Sequence, residues 1–132
     1  MTHAAKRKML VVDDNTNFLD MMNVVFGEEY HILQAEDGRQ GMVLARRENP
    51  DVILLDVMMP KVSGVEMLRE LQSDYDTRRI PVIVLTASAL DKSTMSLIER
   101  EVNVKAFLRK PCGTQKLRDQ VKLALQHPPQ GS

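Results

Sequence analysis

The stretch that decides the fold is DVILLDVMMPKVSG, Asp51 to Gly64. Val52 to Leu55 is a short, continuous apolar run rich in branched side chains, bounded by Pro50 before it and Pro60 and Gly64 after it. Such a run reads as a strand buried on both faces. Asp56 closes it with a charge. An acid at the end of so apolar a strand is unusual unless it is paired or lies at the edge of the sheet. Ser63 then has the spacing of a capping box with Glu66, which predicts a helix that uses Val65, Leu68 and Leu71.

Working outward, the same alternation recurs along the chain. Met9–Val12 reads as a strand, and Thr16–Phe26 as a helix with a stripe of Phe18, Met21, Met22 and Val25 that stops at Gly27. Tyr30–Ala35 is the second strand, and Gly38–Arg47 a helix carrying Met42, Val43 and Ala45. Beyond Pro81, Val82–Leu85 is the fourth strand, followed by a helix at about Lys92–Arg100. Ala106–Arg109 is the fifth strand, and Gln115–Leu125 a last helix with Leu117, Val121, Leu123 and Leu125. Five strands alternating with five helices predict an α/β fold: a five-stranded parallel sheet with helices on both faces. The expected organisation is an N-terminal tail over 1–7, one domain over 8–126 and a polar, proline-rich C-terminal tail over 127–132.

Composition narrows the class of function. The chain has 132 residues, the size of one domain, and 43% of them are hydrophobic, enough for a core. Eighteen basic residues offset eighteen acidic ones, so no electrostatic footprint points to nucleic acid. The single cysteine, Cys112, excludes an internal disulfide and suits a reducing cytoplasm. No apolar run approaches the ~20 residues of a membrane helix. Cys112 and the nine methionines read as packing residues.

In a parallel sheet of this kind ligands bind outside the carboxyl ends of the strands. Here those ends carry Asp13-Asp14, Asp56, Thr86-Ala87-Ser88 and Lys110-Pro111. Taken singly, Asp13-Asp14 is an ordinary acidic turn, Thr86 a strand residue and Lys110 a surface lysine. Taken together they describe one site. Three carboxylates repel unless a cation shares them. Mg²⁺ suits oxygen ligands and accepts phosphate oxygens. A lysine is a compact charge for a phosphate, and a threonine hydroxyl can donate to a phosphoryl oxygen. A carboxylate can itself be the nucleophile and form an aspartyl phosphate.

The segments VVDDN (Val11–Asn15), DVILLDVMMPKVSG, VIVLTAS (Val82–Ser88) and AFLRKP (Ala106–Pro111) occur in this order over nearly the whole chain. On them the protein resembles the receiver domain of two-component response regulators, a group that includes the single-domain chemotaxis regulator. The resemblance implies a (βα)5 flavodoxin-like fold and a signalling switch rather than an enzyme. It implies that Asp56 is the phosphoacceptor, charged from a sensor histidine kinase or a phosphotransfer protein. Asp13, Asp14, Asp56 and the backbone carbonyl of Met58 would hold Mg²⁺. Lys110 would pair with Asp56 and then with the phosphoryl group. Thr86 and Phe107 would be the switch pair, and the Lys110–Pro111 bond would be cis. Pro60 and Gly64 match the loop after the phosphoacceptor. A downstream protein target would read the face over Asp91–Leu125, and kinases would dock near the first helix, whose Phe18, Met21 and Met22 read chiefly as core. Asn103, where the family often has glycine, and Cys112, where phenylalanine is common, depart from the pattern. Met58 and Ser88 stand at positions that tune phosphoryl lifetime in the family.

Three other readings compete. A degenerate receiver acting as a constitutive interaction module would not need the full set of Asp13, Asp14, Asp56, Thr86 and Lys110. An aspartate-nucleophile phosphatase would carry its nucleophile on the first strand with an acid two residues on, whereas Asp13-Asp14 is adjacent. A flavin carrier would have a Thr-, Ser- and Gly-rich phosphate loop where VVDDN places negative charge.

Overall fold

The computed structural model describes residues 6–57, 64–86, 92–100, 104–110 and 112–126. Among them β1 (Arg7–Val12), β2 (Tyr30–Ala35), β3 (Val52–Asp56), β4 (Val82–Thr86) and β5 (Val104–Arg109) alternate with α1 (Thr16–Phe26), α2 (Gly38–Glu48), α3 (Gly64–Ser73), α4 (Lys92–Glu99) and α5 (Thr114–Gln126). All neighbouring strands pair in parallel, in the order β2-β1-β3-β4-β5. The α/β class and the five-stranded parallel sheet are as the alternation predicts.

The burial pattern follows from that order. β3 and β4 lie inside the sheet, and all five residues of each are buried. β2 and β5 are the edges and are only partly covered. On β5 the exposed Lys105 and Arg109 put charge on an edge that could otherwise pair with another chain. Strand side chains alternate between two faces, so each strand feeds two cores. Met9, Val11, Val52, Leu54, Ile83 and Leu85 meet Leu19, Met22 and Phe26 of α1 and Leu117, Val121 and Ala124 of α5. Leu10, Val12, Ile53, Leu55, Val82 and Val84 meet Met42 and Ala45 of α2, Met67, Leu68 and Leu71 of α3 and Ile98 of α4. Each such burial is worth about 1.5–3 kcal/mol, so two full cores hold the strands firmly in register.

Three helix stripes are largely as expected, with Met22, Met42, Ala45, Leu117 and Val121 buried, but each includes one residue that lies off the seam. Met21 of α1, Val43 of α2 and Leu123 of α5 are exposed. The buried sets are Leu19, Met22, Phe26 and Leu117, Val121, Ala124, spaced i, i+3 or i+4, and i+7. A neighbouring residue lies about 100° round the helix and falls off the seam. In α2 and α5 small residues, Gly38, Gly41 and Ala124, complete the seam. β1 and β5 also begin earlier than expected, because Arg7 and Lys8 continue the pairing with Tyr30 and His31, and Val104 pairs with Val82.

Polar ties fix the helix ends. Asn49 ends α2 in the left-handed region, at φ 49°. Lys8 Nζ donates to Glu48 Oε1 at 3.2 Å, and Arg46 Nε to Asp74 Oδ2 at 2.7 Å, tying α2 to β1 and to the end of α3. The hydrogen bond from Lys8, with a second from Arg47, holds the Glu48 carboxyl below its usual range. Arg46, helped by the N–H of Asp76, does the same for Asp74. A carboxyl with a lowered folded pKa stabilises the fold above its unfolded pKa, and that contribution disappears as pH falls through the folded value. Both carboxylates remain partly open to solvent, so the effect is small. We expect the urea midpoint to fall on acidification below about pH 5. It should fall less steeply in the Glu48→Gln, Asp74→Asn double variant. Parallel pH profiles for the two proteins would show that these pairs play no part.

Candidate functional site

Strand order reverses between β1 and β3, since β2 leaves β1 on one side and β3 on the other. A crevice opens at such a point, beyond the carboxyl ends of the strands. Asp13 follows β1 and Asp56 ends β3, one at each lip. Asp13 and Asp56 are buried while Asp14 is exposed, and one carboxylate oxygen from each lies within 4.8 Å of the others. Two negative charges at that separation repel by about 3.5 kcal/mol at an effective dielectric near 20. A whole domain is stable by about 5–15 kcal/mol, so a cation must share this crevice.

Lys110 supplies one. Its ammonium pairs with Asp13 Oδ2 at short range and lies 3.8 Å from Asp56 Oδ2. The side chain is 15% exposed. The expected pairing with Asp56 is therefore present, but Asp13 holds the ammonium more closely. One ammonium against three carboxylates leaves excess negative charge, and among the described residues the ligand atoms gathered here are carboxylate oxygens. That donor set fits a hard divalent cation such as Mg²⁺.

Backbone hydrogen bonds lock these groups in place. Asp13 N donates to Ala35 O of β2 at 3.0 Å, and Val57 N to Leu85 O of β4 at 3.3 Å. Lys110 N donates to Thr86 O at 2.8 Å. Asn15 is the cap of α1: its Oδ1 accepts from Asn17 N and Phe18 N, while its own N–H donates to Asp13 Oδ1 at 2.9 Å. The sequence signal was present, since an asparagine directly before a periodic apolar run marks a helix start. On the other lip, α3 begins at Gly64 hard against the strand end. A Cβ there would lie 2.4 Å from Val57 Cα and 2.7 Å from Asp56 O. Only glycine allows this approach.

Strand alternation also sorts the remaining residues. Asp13, Asp56 and Lys110 continue the parity of Val11, Leu54 and Leu108, on the side of α1 and α5. Thr86 continues the parity of Val82 and Val84, on the side of α4. Phe107 is partly buried on that same side, and its register partner is Val84, two residues before Thr86. Thr86 itself is 1% exposed. Met58, Pro60, Ser63, Ser88, Asn103 and Pro111 lie outside the described residues.

The family model described as "Response regulator receiver domain" matches residues 9–122. The chain belongs to this family. The domain is similar to protein PilH of Pseudomonas aeruginosa, 34% identical over 105 residues, covering 79% of this chain and 85% of that protein. It is also similar to the polar-differentiation response regulator DivK of Brucella ovis, 30% identical over 117 residues, or 89% of this chain and 94% of that one. Among solved structures, the receiver domain of sensor histidine kinase PA1611 from P. aeruginosa PAO1 superposes with a TM-score of 0.82 at 26% identity. The match covers 93% of this chain and 100% of that one, which was solved with a magnesium ion coordinated in its active site cleft. A CheY-like receiver domain from Methanospirillum hungatei JF-1 reaches a TM-score of 0.85 at 22% identity, covering 92% and 95%, and shares the fold.

For this receiver domain, Gly64 joins fold to site. Gly64→Ala must push α3 away from the Asp56–Val57 backbone, at a cost of about 1–3 kcal/mol. We expect a lower urea midpoint and displaced amide resonances for Asp56 and Val57. An unchanged midpoint with unmoved resonances would mean that the close approach constrains nothing.

Proposed function

We propose that this receiver domain is a phosphoryl-accepting switch in which Asp56 takes the group from a phosphohistidine on a sensor histidine kinase or phosphotransfer protein. The carrying observation is the placement of Asp56. It is buried at the end of a fully buried strand, beside Asp13 and Asp14, with an ammonium 3.8 Å away. In the transfer a carboxylate oxygen of Asp56 bonds to phosphorus as the donor's P–N bond breaks. The electron pair of that bond stays on the imidazole nitrogen.

Asp13, Asp14 and Asp56 would hold Mg²⁺, with the Met58 carbonyl as a further oxygen. The all-oxygen donor set and the magnesium ion in the PA1611 receiver domain support this assignment. When bound, Mg²⁺ supplies positive charge to the phosphoryl oxygens as they pass between donor and acceptor. Lys110 adds a second, fixed positive charge to the same oxygens. The Thr86 hydroxyl would donate to a phosphoryl oxygen from the side of α4.

Output follows as a population shift, since phosphorylation favours the conformation in which Thr86 is drawn to the phosphoryl group. Phe107, diagonal to Thr86 across β4 and β5, would move with it. The downstream partner would read α4, β5 and α5, where Met95, Val104, Ala106 and Phe107 line a groove and Leu123 is exposed. No described helix is long and apolar enough to cross a membrane. We place the domain in the cytoplasm, where its one cysteine stays reduced.

Intact-mass measurement tests the reading. With acetyl phosphate and Mg²⁺ the wild type should gain one acid-stable, base-labile phosphoryl group, and Asp56→Asn none. Chelation with EDTA should abolish the gain, and Lys110→Met should slow it about a hundred-fold. An unmodified wild type, or an equal gain on Asp56→Asn, leaves a constitutive interaction module as the function.

A further inference from the structure

Phe18 stands in the first turn of α1, and its amide is held by the Asn15 cap. Its ring is partly buried against the core under α1 and α5. Lys110 Nζ lies over that ring, 3.9 Å from the centroid. A cation within about 6 Å of a ring face is attracted by the ring's quadrupole, more strongly when water is largely excluded. The ammonium thus has two close partners, the Phe18 face and Asp13 Oδ2, and a more distant one in Asp56. Asp13 Oδ1 meanwhile accepts the N–H of Asn15. Both oxygens of Asp13 are therefore engaged, and a divalent cation that approaches Oδ2 meets the positive charge of Lys110 already there.

We propose that Phe18 is a positioning residue for Lys110: its ring holds the ammonium on Asp13 in the metal-free domain and thereby sets how readily a divalent cation enters. This rests on the reading of Asp13, Asp14 and Asp56 as a metal site. The logic is linkage. A contact made only in the metal-free arrangement stabilises that arrangement and lowers apparent metal affinity by the same factor. A desolvated cation–π contact corresponds to a bias of about thirty-fold. The ammonium need move only partway off the ring, so the realised factor is about three- to ten-fold.

The test uses the full chain and Mg²⁺ alone, followed by calorimetry and by NMR. Phe18→Leu keeps an apolar side chain but loses the ring face, and should bind Mg²⁺ about three- to ten-fold more tightly than wild type. Phe18→Tyr, which restores the ring, should return the affinity toward wild type. In a Lys110→Met background, Phe18→Leu should change nothing, because the cation it acts through is gone. The wild type alone gives an independent signature that needs no variant to fold. Ring current should shift the Lys110 ε-protons upfield without metal, and Mg²⁺ should remove that shift. Unchanged or weaker affinity in Phe18→Leu, an equal effect in the Lys110→Met background, or an upfield shift that persists at saturating Mg²⁺ would each overturn the role of Phe18. Those outcomes leave the metal site and the phosphoryl assay intact. Absence of any Mg²⁺ binding to the wild type removes the metal assignment and this proposal together.

Discussion

Two buried carboxylates that face each other across the sheet edge dictate the rest of this structure. Asp13 and Asp56 are buried and close, and neither can sit there without positive charge nearby. Lys110 meets part of that demand, and its own placement depends on the main-chain hydrogen bond to Thr86. Much of the sheet can be understood as the frame that brings β1, β3 and β5 to one edge so that this balance holds. The frame must be stiff, because charge compensation over 3 to 4 Å is lost with small displacements.

Stiffness comes from burial on both sides. β3 and β4 are enclosed along their whole length, and the strand end that carries Asp56 is clamped by β4 on one side and by the start of α3 on the other. α1 plays the matching part for Asp13, through the Asn15 cap and its hydrogen bond to the carboxylate. The two helices nearest the crevice therefore begin at the acids rather than merely near them. Loop and helix starts, not only strands, place the acids.

The main features of the fold were legible in the sequence because each strand is short, continuous and punctuated. Val52–Leu55 between Pro50 and Asp56, and Val82–Leu85 after Pro81, leave little choice of element. The acids and the lysine were legible for the converse reason: a charge at the end of a buried run has to be explained. Helix faces were harder to read. Ala124 and Gly41 are buried although small, and Leu123 and Val43 are exposed although large, so apolar character alone does not assign every position on a seam. The preference of Lys110 for Asp13 over Asp56 was not legible at all. It depends on crevice distances between residues 97 apart in the chain, and on a ring that reads in sequence as ordinary core.

The alternation that sends Asp13, Asp56 and Lys110 to one side of the sheet and Thr86 and Phe107 to the other has a consequence for how such a domain can diversify. The acids and Lys110 share a layer with α1 and α5, while Thr86 and Phe107, the proposed switch pair, share theirs with α4. In the main chain the two layers meet where β4 and β5 pair, and a hydrogen bond from Lys110 N to Thr86 O closes the end of that ladder. Under the proposed function, the surface over α4 can be rewritten, residue by residue, for a new listener, while the crevice that would hear the signal stays as it is.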